Sequence, residues 1–113
     1  LRLRFTNGSG TRRTTRYNTS NMTEANYQNK LKKLLKENGW HVIKLVRLGV
    51  SGYPDLQCTH PERVTMYVEV KSDKGKLSPV QESRIAILRH KGFTVHVTSP
   101  GTFDEFKAAI GSV

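Results

Sequence analysis

Three residues could do chemistry together: Asp55, Glu69 and Lys71. Residues 64–71 read VTMYVEVK, with an apolar residue at every second position. That is the period of a strand, whose side chains alternate between two faces. Val64, Met66, Val68 and Val70 are expected to face the core, and Thr65, Tyr67, Glu69 and Lys71 the other way. Glu69 and Lys71 would then stand roughly 7 Å apart. Residues 55–60 read as the preceding strand, joined through Pro61-Glu62-Arg63 as a three-residue hairpin loop. This loop pairs His60 with Val64, Cys58 with Met66 and Leu56 with Val68, so apolar meets apolar on one face. On the other face Asp55 lands opposite Glu69.

Two carboxylates held together repel unless a cation sits between them. Oxygen ligands with an open coordination sphere suit Mg²⁺ or Mn²⁺. Such an ion can activate a water and neutralise charge on a phosphodiester transition state. Lys71 could orient or help deprotonate that water, or stabilise the developing charge. The plain alternative is a surface strand carrying an ordinary Glu–Lys pair. Glu-x-Lys by itself does not separate the two, whereas Asp55 in register favours the first.

The flanking elements must hold this trio in place. Residues 22–38 read as a helix, capped by Asn21 with Glu24 as its capping-box partner and ended by Gly39. Tyr27, Leu31, Leu34 and Leu35 make its apolar stripe. Residues 40–48, WHVIKLVRL, read as a strand, and two glycines and a proline make 49–54 a loop. A charged loop at 72–77 leads to a second helix. Ser78 is its N-cap, Pro79 its first residue, Gln81 its capping-box partner and Gly92 its C-terminal stop. Residues 93–98 alternate as a strand. Residues 102–110 read as a last helix, with Thr102 and Glu105 as its capping box. The order is αβββαβα, an α/β fold with a mixed sheet of about four strands flanked by helices.

The chain of 113 residues suffices for one core, and 19 Lys+Arg against 9 Asp+Glu leave a net charge of +10. That excess favours a polyanionic partner, of which nucleic acid is the commonest. Residues 1–21 hold five arginines and no acid among Thr, Asn, Ser and Gly. They are expected to form a flexible basic arm, either an upstream extension or a phosphate grip, ahead of a domain at 22–113. With a single cysteine, Cys58, no intrachain disulfide can form, which fits a reducing compartment. No apolar run approaches the roughly 20 residues of a membrane helix, so the expectation is an intracellular, cytoplasmic protein with no membrane partner. His41, His60, His90 and His96 show no ligand spacing.

Taken together, Glu24 at the start of a helix, Gly52-Tyr53-Pro54-Asp55-Leu56, Val68-Glu69-Val70-Lys71 and Leu77-Ser78-Pro79-Val80-Gln81 carry a pattern. Their order and context over about residues 22–98 resemble the VRR-NUC branch of the PD-(D/E)XK nucleases. Holliday-junction resolvases are similar, but Gly-x-Pro-Asp-Leu favours VRR-NUC. The resemblance implies a restriction-endonuclease-like fold and metal-dependent hydrolysis of DNA phosphodiesters. It implies that Asp55 and Glu69 hold Mg²⁺ or Mn²⁺ with the Val70 carbonyl, and that Glu24 reaches the ion directly or through water. Lys71 would act on the nucleophile, and Gln81 would orient Lys71 or the phosphate. Glu24 and Gln81 could instead be only caps.

Lys74 and Lys76, with Lys44 and Arg47, could form a phosphate track, and Ser51 and Tyr53 could touch DNA from the loop before Asp55. No base-reading helix is evident, so the expectation is recognition of DNA shape and backbone. The resemblance further implies a branched DNA such as a Holliday junction as substrate, cut by a homodimer that places two sites on it, because stand-alone VRR-NUC proteins are similar to symmetric junction cutters. The competing readings are a flap-cutting or restriction-type nuclease of the same chemistry and a basic DNA-binding module without catalysis.

Overall fold

Four strands and three α-helices follow one another in the computed structural model, which describes residues 22–46 and 49–111. Helix α1 spans Glu24–Glu37, then come β1 (His41–Lys44), β2 (Leu56–His60) and β3 (Arg63–Val70). Helix α2 (Pro79–His90), β4 (Thr94–Thr98), a 3₁₀ turn (Pro100–Thr102) and α3 (Phe103–Gly111) complete the domain. The expected αβββαβα order is the observed one. The expected basic arm at 1–21 lies outside the described residues. None of the described helices is long and apolar enough to cross a membrane.

Helix α1 forms where its apolar residues recur at helical spacing, and Tyr27, Leu31 and Leu35 are all fully buried. Burying a leucine side chain contributes about 1.5–3 kcal/mol. The cap is Thr23 rather than Asn21: its hydroxyl accepts from the Asn26 N–H at 3.1 Å. Glu24 is therefore the first helical residue and not a capping-box partner, free to act through its charge. Gly39 follows the helix at φ +89°, the left-handed conformation glycine adopts most cheaply.

The sheet order is β1-β2-β3-β4, with the first three strands antiparallel and β4 parallel to β3. Helix α2 makes the crossover that a parallel pair requires. The β2–β3 hairpin differs from expectation in one detail. Its loop is only Pro61-Glu62, with His60 opposite Arg63, and a register shift between Cys58 and His60 takes up the spare residue. Cys58 still meets Met66 and Leu56 still meets Val68, so the faces come out as the apolar pattern dictates. Strand β1 is shorter than the expected 40–48. It ends at Lys44, although the Leu45 N–H still bonds the Asp55 carbonyl at 2.8 Å.

Each face of the sheet carries its own core. Leu56, Cys58, Met66, Val68 and Val70 pack with Tyr27, Leu31 and Leu35 of α1 and with Phe106 and Ile110 of α3. On the reverse face, Ile85 and Leu88 of α2 pack on Val95, with Tyr53, Tyr67 and Leu77 at the margin. Val64, expected in the core, is 74% exposed, because the helical layer buries this strand only from Met66 onward. The last helix begins at Phe103, not Thr102. Thr102 instead closes the 3₁₀ turn, its hydroxyl accepting from the Ser99 N–H at 3.0 Å.

Candidate active site

The loop at 49–54 carries the chain from β1 to Asp55 and is pressed against the start of α2. Gly52 has φ +76°, and a Cβ there would lie 2.6 Å from the Val80 carbonyl oxygen. Only glycine fits that approach. Arg84 donates to the Ser51 carbonyl at 3.3 Å, and Pro54 is buried. Asp55 is thereby delivered beside β3, where its Oδ2 accepts from the Val70 N–H at 2.8 Å.

Glu69 lies near the end of β3 on the face toward α2 and is only 1% exposed. An ordinary surface Glu–Lys pair is excluded by that burial. Gln81 Nε2 donates to Glu69 Oε2 at 3.0 Å, and Lys71 Nζ stands 3.8 Å from the same oxygen. Glu69 Oε1 is buried without a hydrogen-bond partner. A buried polar atom left unpaired is costly, so an atom in this condition asks for an explanation.

Gln81 is held by its own helix. Ser78 Oγ accepts from the Gln81 N–H at 3.1 Å, and Gln81 Oε1 accepts from the Ser78 N–H at 2.9 Å. With its amide oxygen committed to the cap, its NH₂ group is left to face Glu69. One residue is both cap and site group, and the side chain it bonds in the site is Glu69.

Burial pushes the Glu69 carboxyl up to about 7, helped by the negative charges of Asp55 and Glu24 and opposed by Lys71. Glu24 is exposed in the first turn of α1 and reaches the site by its field; no described group hydrogen-bonds its side chain. A buried hydrogen-bond path ties its helix to the site. Tyr27 OH lies 2.7 Å from Thr98 Oγ1, and the Thr98 carbonyl accepts from the Lys71 N–H at 2.9 Å.

Among the described residues no three His, Cys, Asp or Glu side chains stand together as a ready-made metal cage. The donors present are two carboxylates, Asp55 and Glu69, one of them with an unpartnered oxygen. That set fits Mg²⁺ or Mn²⁺, which keep several waters and take one or two carboxylates plus substrate phosphate. It does not fit a structural zinc, which needs four protein ligands.

The family model of the VRR-NUC domain matches residues 8–99, a span that includes Glu24, Asp55, Glu69, Lys71 and Gln81. The chain belongs to the VRR-NUC family. A solved structure described as a VRR_NUC domain is similar to it at 33% identity with a TM-score of 0.66, covering 74% of this chain and 94% of that one. No curated protein matches the chain. Membership places the VRR-NUC domain among the PD-(D/E)XK nucleases, with a nuclease-type function and DNA as its substrate class.

The remaining expected residues of this VRR-NUC domain are scattered. Lys74 and Lys76 are exposed in the loop between β3 and α2, and Lys44 is exposed at the end of β1. Arg47 lies outside the described residues. Tyr53 is half-buried and packs edge-on against Tyr67 with ring centres 5.8 Å apart. Ser51 is exposed, its carbonyl taken by Arg84. The bond from the Val70 N–H to Asp55 has no signal in the sequence, because it depends on where the loop ends. The link between Gln81 and Glu69 has a partial one, in the spacing that points Gln81 toward the sheet.

Proposed function

We propose that this VRR-NUC domain is a metal-dependent DNA endonuclease that hydrolyses phosphodiester bonds, selects branched DNA such as a Holliday junction, and works as a homodimer. The observation that carries the chemistry is Glu69. A carboxylate that is 1% exposed, flanked by Asp55 and with one oxygen unpartnered, is arranged for a cation and for little else.

Asp55, Glu69 and the Val70 carbonyl would hold Mg²⁺ or Mn²⁺, with Glu24 reaching the ion directly or through water. Bound there, the ion would supply an activated water and offset the charge that develops on the phosphate. Lys71 as an ammonium orients the attacking water and favours negative charge on the phosphate oxygens, or as the neutral amine takes up the water's proton. Gln81 fixes Glu69 by its hydrogen bond, which keeps that carboxylate aligned through turnover. Lys44, Arg47, Lys74 and Lys76 would contact phosphate, with Ser51 and Tyr53 at the approach to Asp55.

A domain of this size covers little of a four-way junction, so two copies related by a twofold axis supply the second cut. The test offers linear duplex, 5′ and 3′ flaps and a four-way junction, each with Mg²⁺ and with EDTA. Paired, Mg²⁺-dependent cuts in the junction ahead of the other substrates are expected. Uncut DNA throughout would refute the nuclease reading, and preferential cutting of flaps or linear duplex would refute the junction reading. Sedimentation of the DNA complex as one protein per junction would refute the dimer.

A further inference from the structure

Helix α1 buries Tyr27, Leu31 and Leu35 and turns a different face to solvent. At 100° per residue, Ala25, Asn29, Lys32, Lys33 and Lys36 fall on that opposite face. Ala25, Asn29, Lys33 and Lys36 are exposed and Lys32 is partly so. Asn29, Lys32, Lys33, Lys36 and Glu37 line a shallow groove. The single acid, Glu37, stands at the end of the helix away from the site and forms no ion pair with the lysines among the described residues. Lys32 with Lys36, and Lys33 with Lys36, are like charges at spacings where side chains meet, which destabilises a helix. A stripe of uncompensated lysines that the fold does not use is suited to an anionic partner.

The direction of α1 says where that partner would lie. Glu24 begins the helix at the end beside the site: one turn on, Tyr27 OH lies 2.7 Å from Thr98 Oγ1, and the Thr98 carbonyl accepts from the Lys71 N–H at 2.9 Å. At about 1.5 Å of rise per residue, Lys32 to Lys36 lie about 12–18 Å farther along the axis. That distance corresponds to about four to five base pairs of duplex.

Resting on the nuclease reading above, we infer that the Lys32–Lys33–Lys36 face of α1 is a second phosphate-binding track. It grips the backbone of the DNA arm that leaves the active site on the Glu24 side. Its recognition is of backbone and not of base sequence, since lysine contacts to phosphate carry no sequence information. The track is separate from Lys44, Lys74 and Lys76, which lie in other elements.

The experiment measures junction binding in EDTA against salt for the parent, for K32Q/K33Q/K36Q, for K32R/K33R/K36R and for K107Q, at an exposed position of α3. Each lost phosphate contact reduces the slope of log K against log salt by about 0.9. The triple Gln variant should lose about two to three from that slope and bind at least about tenfold more weakly at low salt, while the Arg variant and K107Q keep parental values. Circular dichroism confirms that the helix is retained. A triple Gln variant with the parental slope and affinity, while the parent still cuts DNA in Mg²⁺, overturns the track and leaves the nuclease reading standing. A parent that binds DNA with the expected slopes but never cuts overturns the nuclease reading instead.

Discussion

Replacing Glu69 by Gln should stabilise the metal-free domain above neutral pH and have little effect at pH 5. Burial and the neighbouring charges hold the Glu69 carboxyl at about 7, against an ordinary 4.5. In the unfolded chain the group releases its proton near 4.5; in the folded chain it keeps it to about 7. The folded state therefore binds more protons across this window, and stability falls as pH rises through it. At about 1.4 kcal/mol per pH unit, the full penalty above pH 7 is about 3 kcal/mol. Gln at this position has no charge to bury, and its carbonyl can still accept from Gln81. Urea unfolding in EDTA at pH 5, 6, 7 and 8 gives the comparison. The expected result is a parent that loses stability from pH 5 to 8 relative to the Gln variant, with the difference approaching 3 kcal/mol. Mg²⁺ at pH 8 should then restore the parent and leave the variant unchanged. A gap between the two proteins that does not vary with pH would refute the account of Glu69 as a buried carboxylate lacking its cation.

Gln81→Ala should lower cleavage and move the acidic limb of its pH profile upward, because the hydrogen bond that favours the ionised form of Glu69 is lost; a drop in rate with an unmoved profile would count against that role. Tyr27→Phe should cost about 1–2 kcal/mol in urea unfolding, through the lost buried bond to Thr98. Gly52→Ala places a Cβ 2.6 Å from the Val80 carbonyl oxygen at a φ of +76°. It should destabilise the domain by about 1–3 kcal/mol and reduce cleavage by displacing Asp55, readable from melting and from rate.

The trio was legible because its geometry follows from alternation. Apolar pairing placed Asp55 beside the Glu69 end of β3, and that outcome survived an error in the loop, since the register shift after Cys58 restored the pairing. What alternation cannot show is coverage. It marked Tyr67 and Glu69 as facing away from one core, but α2 builds a second core there, and Glu69 is buried for that reason. Val64 fails in the opposite sense, apolar and in phase yet beyond the helical layer. Caps are half legible: Ser78 and Gln81 form the expected box, whereas Thr23 takes the place given to Asn21, and Thr102 closes the 3₁₀ turn ahead of the last helix instead of capping it. Neighbouring Ser, Thr and Asn residues have similar capping strength, so packing decides which one is used. The lysine stripe of α1 is not legible in the sequence, because it appears only once the helix is docked and its free face is known.

The proposed reaction needs a cation at Asp55 and Glu69 to activate the water that attacks the phosphodiester. The most direct measurement is cleavage of a four-way junction by the parent and by Glu69→Ala in Mg²⁺, with binding of the same junction recorded in EDTA. The parent should cut, EDTA should stop it, and Glu69→Ala should bind the junction but leave it intact. A Glu69→Ala protein that cuts as fast as the parent would contradict the proposed reaction.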